Sequence, residues 1–140
     1  MLDLKLHHIG VVVREIEEHR AFYVQSLGYR PVTGVIHDPL QTAYVQFLSI
    51  PGADHYLELV APDGPASKLT KASLSGSPLN HVCYSTPGVE EALRELTAAG
   101  ALLVQDPVPA VAFGGRRIAW LFSPDQLLTE LVERGPPGSL

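Results

Sequence analysis

The chain has 140 residues, 46% of them hydrophobic and 18% charged, with a net charge of −5. That length and balance describe a water-soluble folded chain with a real core rather than a disordered one. The negative charge, with Arg116-Arg117 as the one adjacent basic pair, argues against a nucleic-acid surface; the single cysteine, Cys83, excludes an intrachain disulfide and a cysteine-rich zinc site and fits a reducing cytosol.

Leu4 to Val13 alternates and then becomes continuously apolar, which predicts a strand with Leu4, Leu6, His8, Gly10 and Val12 on one face and His7 on the other. Ile16 to Leu27 follows as an amphipathic helix, with Ile16, Ala21, Phe22, Val24 and Leu27 as its apolar residues and Gly28 as its stop. Strands are predicted at Tyr29 to Ile36, ended by His37-Asp38-Pro39, at Thr42 to Ile50, and at His55 to Ala61 after the turn Pro51-Gly52-Ala53-Asp54. A linker rich in Pro, Gly, Ser and Lys, about 63–78, carries a short helical turn near Ser67 to Leu74. The order then repeats: a strand over Leu79 to Thr86, a helix over Val89 to Ala99, and a strand over Ala101 to Gln105 broken by Asp106-Pro107-Val108-Pro109. Strands over Arg117 to Phe122 and Leu127 to Glu133 complete it, and Gly135-Pro136-Pro137-Gly138 is read as a frayed tail. The N-terminus shows no basic segment leading into a long apolar run, and no stretch approaches the ~18 apolar residues of a membrane span. We therefore expect a cytoplasmic protein without nucleic-acid or membrane partners.

The repetition is visible residue by residue. His8 and His81 each head a short β-rich run that ends in a Glu-Glu pair, and an offset of 81 − 8 = 73 aligns Ile16 with Val89, Glu17 with Glu90 and Glu18 with Glu91. The last strands also correspond: Glu58 in Tyr56-Leu57-Glu58-Leu59-Val60 matches Glu130 in Leu128-Thr129-Glu130-Leu131-Val132, at an offset of 130 − 58 = 72. The expected fold is α+β: a single domain over 1–140 made of two tandem βαβββ modules (about 4–62 and 79–134). Each sheet has a helix on one face, and the other faces form an open, barrel-like cleft. An ionised carboxylate among apolar strand neighbours is costly unless paired or bound to a cation. Two imidazoles and two such carboxylates therefore suggest a divalent metal site, with His8, Glu58, His81 and Glu130 as ligands and room for substrate oxygens. Mixed nitrogen and oxygen donors suit Co, Ni, Zn, Mn or Fe without choosing among them.

These motifs resemble the vicinal oxygen chelate superfamily, which includes glyoxalase I, methylmalonyl-CoA epimerase, extradiol dioxygenases and the bleomycin- and fosfomycin-resistance proteins. The resemblance spans about residues 4 to 134. It rests on His8-Ile9-Gly10-Val11-Val12-Val13, Ala21-Phe22-Tyr23 with Leu27-Gly28-Tyr29, Leu57-Glu58-Leu59, Asn80-His81-Val82-Cys83-Tyr84 and Glu130-Leu131-Val132-Glu133. Its nearest branch is the methylmalonyl-CoA epimerase-like one. The resemblance implies the same four metal ligands, and a carboxylate near the metal (Glu130, with Glu58) that carries the proton of the substrate's α-carbon. Epimerases place a further acid–base glutamate just after the second strand; Val32 to Asp38 has none, which leaves His37 or Asp38 in its place. An epimerase or isomerase acting on an acyl-CoA is the first expectation. A glyoxalase-I-like lyase, an extradiol-type dioxygenase and a non-catalytic antibiotic-binding protein are the alternatives. Arg116 or Arg117, after the flexible Phe113-Gly114-Gly115, is read as a substrate anion contact or as an exposed strand-edge charge. His37 and Gln46 are further candidate substrate contacts, and Tyr44 and Trp120 could line the cleft, although aromatic residues in strands are usually packing. His7 and His55 are read as structural or loop-edge, and His19 as solvated. An exposed sheet edge in each module leads us to expect a homodimer.

Overall fold

The structure, a computed structural model, describes residues 1–74 and 78–140; residues 75–77 of the expected linker lie outside the described residues. Among the described residues there are nine strands and three α-helices, an α+β architecture. They divide into two compact units, His8–Asn80 and Met1–His7 with His81–Leu140, so the division falls at the two histidines that mark the repeat.

The first unit contains β1 (Lys5–Val12, from His8 on), α1 (Ile16–Leu27), β2 (Arg30–Pro31), β3 (Ile36–Asp38), β4 (Ala43–Ser49), β5 (Tyr56–Pro62) and the short α2 (Thr70–Leu74). Its sheet runs β2-β4-β5-β1, with β3 also on β4. β1 and β5 are parallel, with Gly10 opposite Glu58, and β4 and β5 are antiparallel, with Phe47 opposite Glu58. The single strand expected from Tyr29 to Ile36 is divided into β2 and β3. Pro31 has no N–H for a ladder, and the Thr33 hydroxyl oxygen takes the Phe47 N–H (3.2 Å) that a continuing strand would have taken. The expected break at His37-Asp38 falls later, because both residues belong to β3. Asp38 Oδ1 then accepts from the N–H groups of Leu40 (3.1 Å) and Gln41 (3.2 Å), a side-chain turn that ends the strand.

α1 has the predicted bounds, and Gly28, at φ 82°, closes it in the left-handed conformation that glycine adopts without steric cost. Its predicted apolar face is only partly buried. Ile16 enters a core with Val13, Leu48, Leu57, Leu59 and Ala61, and Tyr23 packs at its edge. Phe22 (57% exposed) and Leu27 (46%) face outward, so the helix is less amphipathic than its spacing suggests.

The second unit contains β6 (Leu79–Thr86, from His81 on), α3 (Val89–Ala98), β7 (Leu102–Pro109), a 3-10 turn at Val111–Phe113, β8 (Arg117–Phe122) and β9 (Leu128–Glu133). The βαβββ order is the expected one, and the sheet runs β6-β9-β8-β7. α3 buries Val89 and Ala92, and Ala92 meets Ala101, Leu121 and Leu131 in the core of this unit. Asp106-Pro107-Val108-Pro109 does not break β7, contrary to expectation. β7 ends the sheet order, and its register with β8 is irregular on both sides of Gln105, so Pro107 sits where the ladder is already interrupted and Pro109 is the last residue of the strand. The tail is also not frayed. Arg116 reaches across to it, donating from Nη1 to Glu133 O (2.8 Å) and from Nη2 to Leu140 O. Gly135 permits this closure, because a Cβ there would stand 2.7 Å from the guanidinium carbon. Among the described residues no helix is long and apolar enough to cross a membrane.

Candidate functional site

Strand register places one buried His–Glu pair in each unit. In the first, His8 Nε2 lies 3.4 Å from Glu58 Oε1, with His8 fully buried and Glu58 6% exposed. Phe47 is the cross-strand partner of Glu58 and therefore shares its face. The Phe47 ring meets the His8 imidazole edge-on, at 5.2 Å between centroids and 78° between planes.

In the second unit, His81 Nε2 lies 3.3 Å from Glu130 Oε2, and the two side chains are 2% and 4% exposed. Trp120 is the cross-strand partner of Glu130, and its ring meets His81 edge-on at 4.7 Å and 81°. Histidine, glutamate and aromatic ring thus recur as a set, and the aromatic offset, 120 − 47 = 73, is that of the histidines.

The donor chemistry of these pairs fits a divalent cation. Separations of 3.3 and 3.4 Å are longer than the ~2.7–2.9 Å of a charge-assisted hydrogen bond. They are close to the roughly 3.0–3.4 Å between two ligand atoms that each sit ~2.1 Å from a shared ion. A buried carboxylate also needs a positive partner, and an imidazole must be neutral to offer Nε2 to a metal.

The four residues read from the sequence as substrate contacts are all engaged within the chain. Gln46 follows the opposite face from Phe47. Its Oε1 accepts from Arg20 Nη1 of α1 (2.7 Å) and its Nε2 donates to Thr33 O (2.8 Å). His37 pairs with Tyr44 across β3–β4 and so shares the helix-side face; its Nε2 lies 2.9 Å from Asp63 Oδ2 and its ring lies 4.8 Å from that of Tyr44. Asp38, by contrast, pairs with Ala43 and lies on the face of Phe47, but its Oδ1 holds the turn. Arg116 clasps the tail and lies over the Phe113 ring, 5.6 Å from its centroid. Arg117 lies on the helix-side face, donating from Nη1 to Glu90 in the first turn of α3 and from Nε to Glu133 (2.7 Å). Those carboxylates push the Arg117 pKa up, and in return the Arg117 hydrogen bond holds the Glu90 carboxyl below its usual range. The strand parity that put His8 on the site face put Gln46 and Arg117 on the other.

The remaining histidines divide as follows. His7 packs edge-on against Phe113 at 5.3 Å, a structural placement as expected. His55 sits at a turn beside Asp54 (3.6 Å). His19, expected to be solvated, is half-buried and lines a cavity of about 300 Å³ with Val11, Phe22, Tyr23 and Pro78. Phe47 was missed by the sequence reading and Trp120 was set aside as packing; the 73-residue offset, applied to the aromatics as well, would have singled out both.

Comparison with known proteins places this geometry in context. The family model described as the glyoxalase/bleomycin resistance protein/dioxygenase superfamily matches residues 7–120. The uncharacterized protein YwkD of Bacillus subtilis (strain 168) is 28% identical over 134 residues, covering 96% of this chain and 100% of that protein. Among solved structures, the hypothetical protein BH1468 from Bacillus halodurans C-125 is 27% identical with a TM-score of 0.85, covering 99% of each chain. The methylmalonyl-CoA epimerase of Mycobacterium tuberculosis (23% identical, TM-score 0.81, 94% of this chain and 88% of that one) has the same fold. So has that of Streptomyces coelicolor (22%, 0.82, 97% and 100%). With four-fifths of its length matched by the family model, the chain belongs to the glyoxalase/bleomycin resistance protein/dioxygenase superfamily.

Proposed function

We propose that this protein is a divalent-metal-dependent epimerase or isomerase that removes and returns a proton α to a carbonyl, on an acyl-CoA of the methylmalonyl type. The observation that carries the reading is the doubled, buried His–Glu pair with ligand-like separations. In this reading His8, Glu58, His81 and Glu130 are the ligands of one ion. Bound there, a divalent cation supplies Lewis-acid polarisation of a substrate carbonyl or carboxylate oxygen. The chain's own groups do the rest. The imidazoles present neutral Nε2 donors, and their fixed contacts with Phe47 and Trp120 hold the ring planes. Burial keeps bulk water from competing for the carboxylates. Glu130 is assigned as the group that takes the α-proton. The proton that Glu130 removes is returned to the flattened carbon by a carboxylate, Glu130 itself or Glu58 after proton exchange with it, as microscopic reversibility requires. Fold-level likeness to methylmalonyl-CoA epimerases supports the substrate class.

The deciding experiment incubates metal-loaded protein with methylmalonyl-CoA in D2O and follows deuterium at the α-carbon by mass spectrometry. Incorporation that a chelator abolishes and one added metal restores is expected. Absence of exchange with each of Co, Ni, Zn, Mn and Fe(II) would remove the epimerase reading.

A further inference from the structure

Among the described residues, the Trp120 indole donor, Nε1, is buried and has no acceptor. Buried donors are nearly always paired, and an indole N–H can only donate. The side chain stands directly across β8–β9 from Glu130 and edge-on to His81, so the ring that carries this donor lies against the second unit's half of the proposed metal centre. Packing alone does not call for it. At the equivalent position Phe47 gives His8 the same edge-on contact with a ring that has no N–H.

We propose that Trp120 is a substrate-positioning residue whose Nε1–H donates to an oxygen of the bound substrate beside His81 and Glu130. The inference rests on the reading of this centre as a substrate-binding site. A neutral, donor-only group cannot carry the α-proton, so its contribution is to binding and orientation. It favours a substrate with an acceptor oxygen besides the thioester carbonyl, which is an α-carboxyacyl thioester rather than a plain acyl thioester.

Malonyl-CoA and propionyl-CoA serve as paired probes, with and without that carboxylate, and their dissociation constants for the metal-loaded protein are measured by calorimetry. The native protein is expected to prefer malonyl-CoA. Trp120→Phe keeps a ring against His81 and removes the donor. It should weaken malonyl-CoA binding by about 10-fold or more while leaving propionyl-CoA and metal content unchanged. Trp120 is the one tryptophan in the chain, so biosynthetic replacement by benzothienylalanine, an isostere with sulfur for N–H, repeats the test without a change of shape. It should show the same selective loss. A native protein that discriminates between the probes while both replacements discriminate equally well would overturn the role of Trp120 and leave the proposed function standing. A native, metal-loaded protein that binds neither probe overturns the function and this inference with it.

Discussion

The two units share a layout and differ in what surrounds it. Each sets a histidine within its first strand, a glutamate on its last, and an aromatic ring opposite that glutamate on the neighbouring antiparallel strand. The ring contacts agree closely, at 5.2 and 4.7 Å and 78 and 81°. Away from that set they part. α3 buries Val89 and Ala92 and is tied to the sheet by Glu90–Arg117, whereas α1 buries only Ile16 and leaves Phe22 outside. The second strand is continuous in one unit and divided in the other. The positions held constant are those fixed by strand register toward one face. The positions that vary face the helices, where hydrophobic packing accepts many solutions.

The comparison can be broken most decisively at the four proposed ligands. If each pair were a separate site, the chain would bind two ions, and His8→Ala or His81→Ala would leave one. We expect a single ion per chain by elemental analysis after dialysis, and its loss from either variant. Glu130→Gln should lower α-proton exchange by about 10²- to 10⁴-fold, the range for a positioned acid–base group.

The aromatics give the next largest effect. Phe47 is fully buried, so Phe47→Ala should cost about 3–5 kcal/mol in urea denaturation. Trp120 is only partly buried, and Trp120→Ala should cost less while harming ligand binding more. Equal stability losses at both positions would mean that the two rings have the same role.

Much of this was legible before any coordinates, for a definite reason. Strand parity is a period of two and needs no tertiary information, so His8 rather than His7, and Glu58 with Glu130, could be picked from spacing alone. The same rule, carried one residue further, would have placed Gln46 on the face away from Phe47. The errors came from interactions that spacing does not encode. Thr33 substitutes for a ladder acceptor and splits a strand. β7 keeps its prolines because it ends the sheet. Arg116 draws in a tail that composition alone would leave loose. Arg117, read as an anion contact or an edge charge, has partners, Glu90 and Glu133, that lie 27 and 16 residues away in sequence, which spacing does not reveal.

The clasp at Arg116 belongs to the second unit. Gly135→Ala would put a methyl group against the Ser139 hydroxyl and 2.7 Å from the guanidinium carbon, both on side chains. Because a guanidinium can shift, the expected cost is about 1 kcal/mol, at the low end for overpacking, with faster proteolysis of the tail as its sign.

The smallest expected effect is electrostatic and tests the helix difference directly. Arg117 holds the Glu90 carboxyl below its ordinary value of 4.5, so the folded state favours the ionised form. Stability from that pair is therefore present above the ordinary value and is lost as pH falls through the depressed one. Glu90→Gln should lower the thermal midpoint slightly at pH 7, less in high salt because both side chains are exposed, and the difference should shrink as pH falls below the ordinary value and through the depressed one. Glu17 is the matching control: the position that corresponds to Arg117 in the first unit, 117 − 73 = 44, is Tyr44. Glu17→Gln should show a smaller pH 7 effect than Glu90→Gln. Equal effects would mean that the shared place of the two glutamates in the first helical turn, rather than the arginine found in only one unit, accounts for the stabilisation.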